Sequence, residues 1–146
     1  MWRKSKNVRI TYKIIEPTVS GGPFLLDDEV TSEPIHRSWV PHFKSIRGID
    51  TPDGEGTWNW KGKGWLKITN SHWEILGWGE RDGQKWVVTW FAPSMFTPAG
   101  VDVYSSEKSG INEELYQDIL QALQELEAKE IVDLVKEELR KVKIEY

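Results

Sequence analysis

The sequence predicts an α+β domain that consists mainly of antiparallel strands, arranged as a small barrel or a strongly curled sheet with a C-terminal helix. Two observations lead to this fold class. Segments that alternate apolar and polar residues fill most of the first 106 positions, and helical spacing begins near Asn112. Strands followed by helices are typical of an α+β domain. Because curling or closure removes exposed edges, long strands favour a barrel or a curled sheet.

The first predicted strand covers residues 7–16. Val8, Ile10, Tyr12 and Ile14 alternate with polar residues there, and Pro17 ends the pattern. Residues 18–34 contain Gly21-Gly22-Pro23 and several acidic residues, so they are predicted to form a long loop. A loop of this length in a small domain is often functional, and we expect it to act as a gate.

The centre of the chain is rich in tryptophan, because residues 55–106 hold seven of the nine indoles. The even positions of residues 57–68 carry Trp58, Trp60, two glycines, Leu66 and Ile68, which predicts one strand with an apolar face. Glycine beside large rings favours a bend or open space. Turns at residues 70–71 and 81–83 then predict an antiparallel meander.

Three connecting segments between the predicted strands differ in the structure that their composition predicts. Residues 35–49 are interrupted by Pro41 and fit one bent strand, two short strands or a turn of helix. Residues 50–56 have the composition of a turn. Residues 94–97 lie between two prolines and form a second candidate gate before a last strand at residues 101–105.

The C-terminal part predicts helix. Asn112 is a good N-cap, and the apolar residues after it recur at helical spacing. The pattern continues beyond residues 127–129, either in the same helix or after a break. Its leucines are expected to contact the core or a second copy in a homodimer. Val142, Ile144 and Tyr146 predict a short closing strand.

Composition excludes several classes of function. A net charge of -4 disfavours nucleic acid as a partner. The absence of cysteine removes disulfides and thiolate chemistry and is compatible with a reducing compartment. No signal-peptide core or membrane-spanning run is present, so we expect a single soluble, cytoplasmic domain of residues 1–146 that does not bind membranes.

Gly56-Thr57-Trp58 resembles the G-x-W signature of the calycin group, the lipocalins and their relatives. The order of strands, helix and short last strand is similar too. This resemblance implies a lipocalin-like barrel that holds a small apolar ligand. The segments WEIL, FTPAG and DVYS are similar to segments of small fungal proteins, a resemblance that implies no activity.

The terminal helix also resembles the helix-grip group of plant pathogenesis-related and polyketide-cyclase proteins. In that group a curved antiparallel sheet wraps a long C-terminal helix. This sequence lacks the pair of early helices that the group places after its first strand, so the helix-grip fold is the alternative prediction.

The predicted ligand-binding residues are mainly indoles that a barrel interior would collect. Large aromatic residues fill a core equally well, so the alternative is a solid interior without a ligand. At the mouth of the pocket, His36 and Arg37 are expected to bind a ligand carboxylate. The full predicted set is Trp58, Trp60, Trp78, Trp86, Trp90, Trp39, His36 and Arg37.

Two pairs of polar residues are candidate catalytic groups. His72 and Glu74 are two residues apart on one strand and form an acid/base pair if their face is interior, or surface residues if it is exterior. Asp102 and Tyr104 also share a face, opposite two valines, so solvent exposure or a structural hydrogen bond is the competing interpretation.

The chain has no nucleotide-binding or nucleophile-elbow motif, and its three histidines lack metal-ligand spacing. No metal or cofactor is therefore predicted. The sequence favours a protein that binds a small apolar or aromatic molecule in a Trp-lined cavity. The alternatives are a cofactor-independent cyclase, isomerase or lyase that uses the same cavity, and an interaction protein with a filled core.

Overall fold

The computed structural model describes residues 2–36 and 45–146. A 3-10 helix, Gly64–Ile68, interrupts the strand order, and two α-helices follow the last strand. The strands are β1 (Ser5–Ile15), β2 (Leu25–Pro34), β3 (Ser45–Pro52), β4 (Thr57–Gly62), β5 (Asn70–Arg81), β6 (Gln84–Phe91) and β7 (Gly100–Ser105), and the helices are α1 (Glu113–Gln124) and α2 (Lys129–Glu138).

The seven strands form one antiparallel sheet in which each strand pairs with the next one along the chain. The described strands include no ladder between β1 and β7, so the sheet is a curled half-barrel. This confirms the predicted fold class in its curled-sheet form. Antiparallel neighbours need only short turns, which is why the turns at residues 82–83 and 53–56 suffice to reverse the chain.

The two faces of the sheet have different neighbours. We call the face whose side chains surround the hollow of the half-barrel the inner face, and the opposite one the outer face. The helices pack on the outer face of β6 and β7, where Val88 and Val101 contact the apolar side of α1. The buried core consists of Val88, Val101, Leu115, Ile119, Leu123 and Val135. In the helix-grip arrangement the helix would lie inside the curl, whereas here it lies outside.

The helical prediction is confirmed in detail. Asn112 caps α1, and its side chain accepts a hydrogen bond from the Leu115 amide at 2.9 Å. The chain breaks between α1 and α2, as one of the two predicted alternatives has it. The predicted closing strand is reduced to a single bridge between Lys6 and Lys143. The Asn7 side chain holds that tail, because its Nδ2 donates a hydrogen bond to the Glu145 carbonyl and its Oδ1 accepts one from the Glu145 amide.

The predicted long loop over residues 18–34 is wrong. Residues 25–34 form β2, and its connection to β1 turns through Gly21 at a φ of 76°. The alternation in β2 is hidden because its inner-face positions include Asp28 and Ser32, which are polar and nevertheless buried. The expected gate in this region is therefore a strand of the sheet.

The predicted strand over residues 57–68 is correct only to Gly62. A side chain at Gly62 would overlap Leu66, because the 3-10 helix folds back closely onto the end of β4. Gly64 has a φ of 62°, a left-handed conformation that allows this reversal. The glycine positions at 62 and 79 are occupied by Leu66 and by the Trp86 ring, so they leave no open space.

In the part of the chain that the structure describes, neither helix has the length and apolar character needed to cross a bilayer.

Candidate functional site

A hollow of about 410 Å³ lies against the inner face of the half-barrel. Its volume is within the range of small-molecule sites, and apolar and aromatic side chains form most of its wall. All seven strands contribute residues to this wall. The apolar and aromatic lining residues are Trp2, Ile10, Tyr12, Val30, Ile46, Trp60, Trp65, Leu66, Trp73, Phe91 and Phe96.

Asp28 lies in the wall of this hollow and is only 9% exposed. The indole of Trp60 donates a hydrogen bond to its carboxylate. Trp60 reaches Asp28 across β3 because the residue between them is Gly48, where any side chain would overlap the indole ring. The second oxygen, Oδ1, has no hydrogen-bond partner in the described part of the chain.

Asp50 lies on β3 one inner-face position from Gly48 and is completely buried. Its Oδ1 accepts a hydrogen bond of 2.8 Å from the indole N–H of Trp73. Trp73 also stacks on Trp58, with ring centroids 5.7 Å apart and planes at 13°. Oδ2 of Asp50 has no partner among the described residues. Two carboxylates on neighbouring strands are thus each held by one indole.

A third polar group enters the hollow from β7. Asp102 Oδ2 accepts a hydrogen bond of 3.4 Å from the Tyr104 hydroxyl. That hydroxyl in turn accepts one of 3.2 Å from Thr89 on β6. Burial raises the pKa of both the Asp102 carboxyl and the Tyr104 phenol above their ordinary values. These three hydrogen-bonded side chains therefore form a proton-bearing network in the wall of the hollow.

Burial also changes the acidity of the other two carboxyls. It raises the pKa of Asp28 to about 7, with smaller contributions from the nearby charges of Asp50 and Asp27. It raises the pKa of Asp50 to about 6, against the effect of the Trp73 hydrogen bond. The inner face therefore concentrates acidic groups that water solvates poorly.

Two aromatic residues stand at the rim of the hollow. Trp65 on the 3-10 helix and Phe96 on the loop after β6 have ring centroids 6.4 Å apart, and both rings are more than half exposed. Hydrogen bonds between Ser94 and Thr97 shape that loop, including one of 2.8 Å between the two hydroxyls. The predicted gate at residues 94–97 therefore lies at the rim, where Ser94, Phe96 and Thr97 line the hollow.

A wider crevice of about 940 Å³ lies between β1, β7 and the C-terminal tail. It shares Trp2, Tyr12 and Asp102 with the hollow, so the two spaces adjoin at the open edge of the half-barrel. Its wall also contains charged residues such as Arg9 and Lys85, which makes it less suited to an apolar ligand. We take the hollow as the candidate site.

The sheet separates the predicted tryptophans. Trp58 and Trp60 lie on the inner face, whereas Trp86 and Trp90 lie on the outer face and pack against the helices. Trp78 is 77% exposed. A register shift between Ile75 and Gly77 interrupts the alternation of β5, so Trp78 does not share a face with His72 and Glu74.

His72 and Glu74 do come together, on the outer face. His72 Nε2 and Glu74 Oε1 are 3.0 Å apart, and the side chains are 33% and 43% exposed. His72 Nδ1 lies 3.0 Å from Asn59 Oδ1 on β4. The exterior interpretation of this pair is therefore the one that the sheet geometry favours, because Trp73 between them points to the inner face.

Asp102 and Tyr104 show the opposite outcome. Their competing interpretation was solvent exposure, but both line the hollow and are bonded to each other. The structural hydrogen bond that the sequence allowed is present. Of the two residues predicted at the pocket mouth, His36 is exposed and Arg37 lies outside the described residues, as does Trp39 of the predicted ligand-binding set.

Sequence reasoning missed four inner-face residues, Asp28, Asp50, Trp73 and Tyr12. Asp28 and Asp50 were assigned to a loop and to a turn, since acidic residues near Gly and Pro are common there. The available signal was the even parity that Asp28 shares with Leu26 and Val30, and Asp50 with Ile46 and Gly48. This parity places both carboxylates on the inner face, the same face as the Trp60 side chain.

Comparison of the chain with protein-family models, curated proteins and solved structures finds no match. The calycin resemblance therefore stays a prediction, and the functional argument rests on the geometry of the hollow. Within the residues that the structure describes, no three histidine, aspartate or glutamate side chains converge as metal ligands.

Proposed function

We propose that this protein binds a small aromatic or apolar molecule in the hollow of the half-barrel. The observation that carries the proposal is a concave space of about 410 Å³ whose wall is mainly aromatic and aliphatic, with few polar groups. Pockets of this size and composition bury most of the surface of a small ligand, and their few polar groups orient it. A cytoplasmic location and a homodimer stay predictions.

Aromatic stacking supports an aromatic ligand in particular. Trp73 stacks with Trp58 on one side and lies 6.4 Å from the Tyr12 ring, at 30° between planes, on another. Tyr12 is 42% exposed, so part of its ring surface is accessible to a ligand. Offset stacking of aromatic rings contributes about 0.5–1.5 kcal/mol beyond the burial of area.

The test is a binding screen with neutral naphthalene, indole, biphenyl and terpenoid compounds, followed by titration calorimetry. We expect at least one class to bind and to shift the fluorescence of the inner-face tryptophans. The variant Ile46→Phe narrows the hollow and should weaken binding, whereas Thr51→Phe adds the same side chain to an exposed position of β3. A flat response across the whole panel would refute the proposal.

A second candidate function uses the same site for acid/base chemistry on a bound molecule. It is favoured by the pKa of Asp28, which is raised to about 7, because a base with a pKa near the working pH is the most effective. Asp102, whose pKa burial raises, lines the same hollow and supplies a second group that can carry a proton. A suitable assay is deuterium incorporation next to the carbonyl of 2-tetralone in D₂O, followed by NMR. Exchange at the buffer rate would exclude this function for that class of ketone.

A further inference from the structure

We infer that the hollow is built for a ligand with a cationic nitrogen, an organic ammonium group that binds Asp28 and lies against the surrounding aromatic rings. This inference rests on the proposed function, because it specifies the ligand class of the same site. It assigns Asp28 as the charged anchor and Trp60 as the residue that orients the anchor.

The first observation is the unpartnered oxygen of Asp28. Its side chain is nine-tenths buried in the wall of the hollow, and Oδ1 has no hydrogen-bond partner in the described residues. Buried polar atoms almost always have a partner, because an unpaired one costs about 1–3 kcal/mol. The free oxygen of a carboxylate accepts only, so its missing partner is a hydrogen-bond donor.

The second observation is that no basic side chain in the described wall pairs with Asp28, although the charge of the N-terminal amino group favours the ionised form of Asp102 on β7. Asp28, Asp50 and Asp102 all reach the inner face, and the described lining includes no lysine, arginine or histidine side chain. The lysine and arginine that pair with Asp27 on the other side of β2 lie on the outer face. A buried carboxylate is stable in its charged form only beside a cation.

Aromatic faces provide the rest of the cation site. The rings of Trp60, Trp73 and Tyr12 line the same hollow as Asp28. An ammonium group over an indole or phenol face gains about 0.5–2 kcal/mol from the ring quadrupole. Because the described residues include no cluster of metal-ligating side chains, an organic cation fits this wall better than a metal ion does.

The raised pKa of Asp28 agrees with a buried carboxylate that has no cation beside it. Burial is the main reason that its pKa is raised to about 7, and a bound ammonium group would lower that pKa. The titratable groups around it on the inner face are Tyr12 on β1, Asp50 on β3 and the Asp102–Tyr104 pair on β7, and the charge of Asp27 acts from the outer side of β2. Of these, the carboxylates and phenols add no positive charge of their own.

The experiment compares three probes that share one aromatic body: naphthylethylamine, naphthylethanol and naphthylacetate. Titration calorimetry at pH 8 should give an affinity for the amine at least about tenfold above that for the alcohol, with the acetate weakest. Equal or tighter binding of the alcohol would overturn the inference and leave the proposed function in place. If these probes and the whole neutral panel fail to bind, both proposals are refuted.

Two matched variants locate the charge. Asp28→Asn keeps the shape of the anchor and should reduce amine affinity by about tenfold without changing alcohol affinity. Asp27→Asn removes the same charge from the outer side of the same strand, where Asp27 pairs with Lys63 at 2.9 Å, and should leave amine affinity unchanged. An equal loss in both variants would assign the effect to net charge and overturn the inference.

The wild-type protein offers an independent readout if Asp28→Asn folds poorly. Amine affinity should rise between pH 6 and pH 8, because the Asp28 carboxyl ionises over that range while an alkylammonium group stays protonated. Alcohol affinity should not rise. An amine affinity that is constant over this range would contradict the role of Asp28.

Discussion

The two faces of this sheet are built on different principles. On the outer face, Val88 and Val101 meet Leu115 and Ile119 of α1 in a core of aliphatic side chains. On the inner face, Asp28 and its neighbours place buried carboxyls beside indoles around an open space. The outer face therefore lowers the free energy of the folded state by burial, whereas the inner face retains groups that raise it.

This difference separates the face that stabilises the fold from the face of the proposed site. Aliphatic burial contributes roughly 25 cal/mol for each Å² removed from water and needs no partner outside the chain. A buried carboxyl with an open oxygen destabilises the fold unless it is protonated or paired. Groups that destabilise a fold are concentrated at functional sites, so this difference supports the proposal that the ligand binds at the inner face.

The strongest test of the difference between the two faces is the pH dependence of stability in Asp28→Asn. Because the folded pKa of Asp28 lies above its ordinary value of 3.8, the wild-type free energy of unfolding should fall as pH rises from about 4 to about 7 and then stay level. The variant should lack this fall, which gives a difference on the order of 4 kcal/mol by pH 8. Urea unfolding at several pH values measures it.

Asp27→Asn is the control for that experiment, with the opposite sign. The hydrogen bond and charge of Lys63 lower the pKa of Asp27 below its ordinary value of 3.8. The ionised Asp27 therefore stabilises the fold at neutral pH, and this stabilisation is lost as the pH falls below that ordinary pKa. If both variants change stability over the same pH range, the two faces do not differ in the way described.

Leu115→Ala tests the outer face. Leu115 is 1% exposed in the core, so its truncation should lower the free energy of unfolding by about 3 kcal/mol at every pH where the protein is folded. Leu126→Ala, at the exposed end of the same helical region, should cost less than about 1 kcal/mol. A pH-dependent loss in Leu115→Ala would show that the faces are coupled.

Gly48→Ala tests whether the absence of a side chain at Gly48 lets Trp60 reach Asp28. The new methyl group overlaps the indole ring, so the ring must move and its hydrogen bond to Asp28 is lost, at a cost of about 2 kcal/mol. Gly77→Ala is the matched control, because its methyl group would lie 3.8 Å from Trp86 in ordinary contact. Indole fluorescence and urea unfolding distinguish the two variants. Equal effects of Gly48→Ala and Gly77→Ala would contradict this role of Gly48.

His72→Ala should have the smallest effect. The His72–Glu74 pair is partly exposed on the outer face, away from the hollow, so we expect a stability change of at most about 0.5 kcal/mol and no change in amine affinity. Calorimetry with naphthylethylamine checks the affinity. A tenfold loss would reassign this pair to the binding site.

Much of the fold follows from local patterns. The first strand, the Asn112 cap and the inner orientation of Trp58 and Trp60 agree with prediction, and the break between the helices is one of the two alternatives that the pattern left open. The candidate site was only partly predictable, since Asp28 and Asp50 look like loop residues in the sequence. Polar residues on a buried strand face remove the alternation that identifies a strand.

Local sequence alone specifies the period of each element, because strand and helix geometry fix which side chains share a face. It does not specify what covers that face. Trp60 and Trp90 look alike in sequence, yet one borders a hollow and the other supports a helix. The shift in β5 reverses the facing of Trp78 relative to His72, and the curl of seven strands brings Asp28 and Asp102 to one space. Only tertiary packing decides these outcomes, because they depend on contacts between residues far apart in the chain.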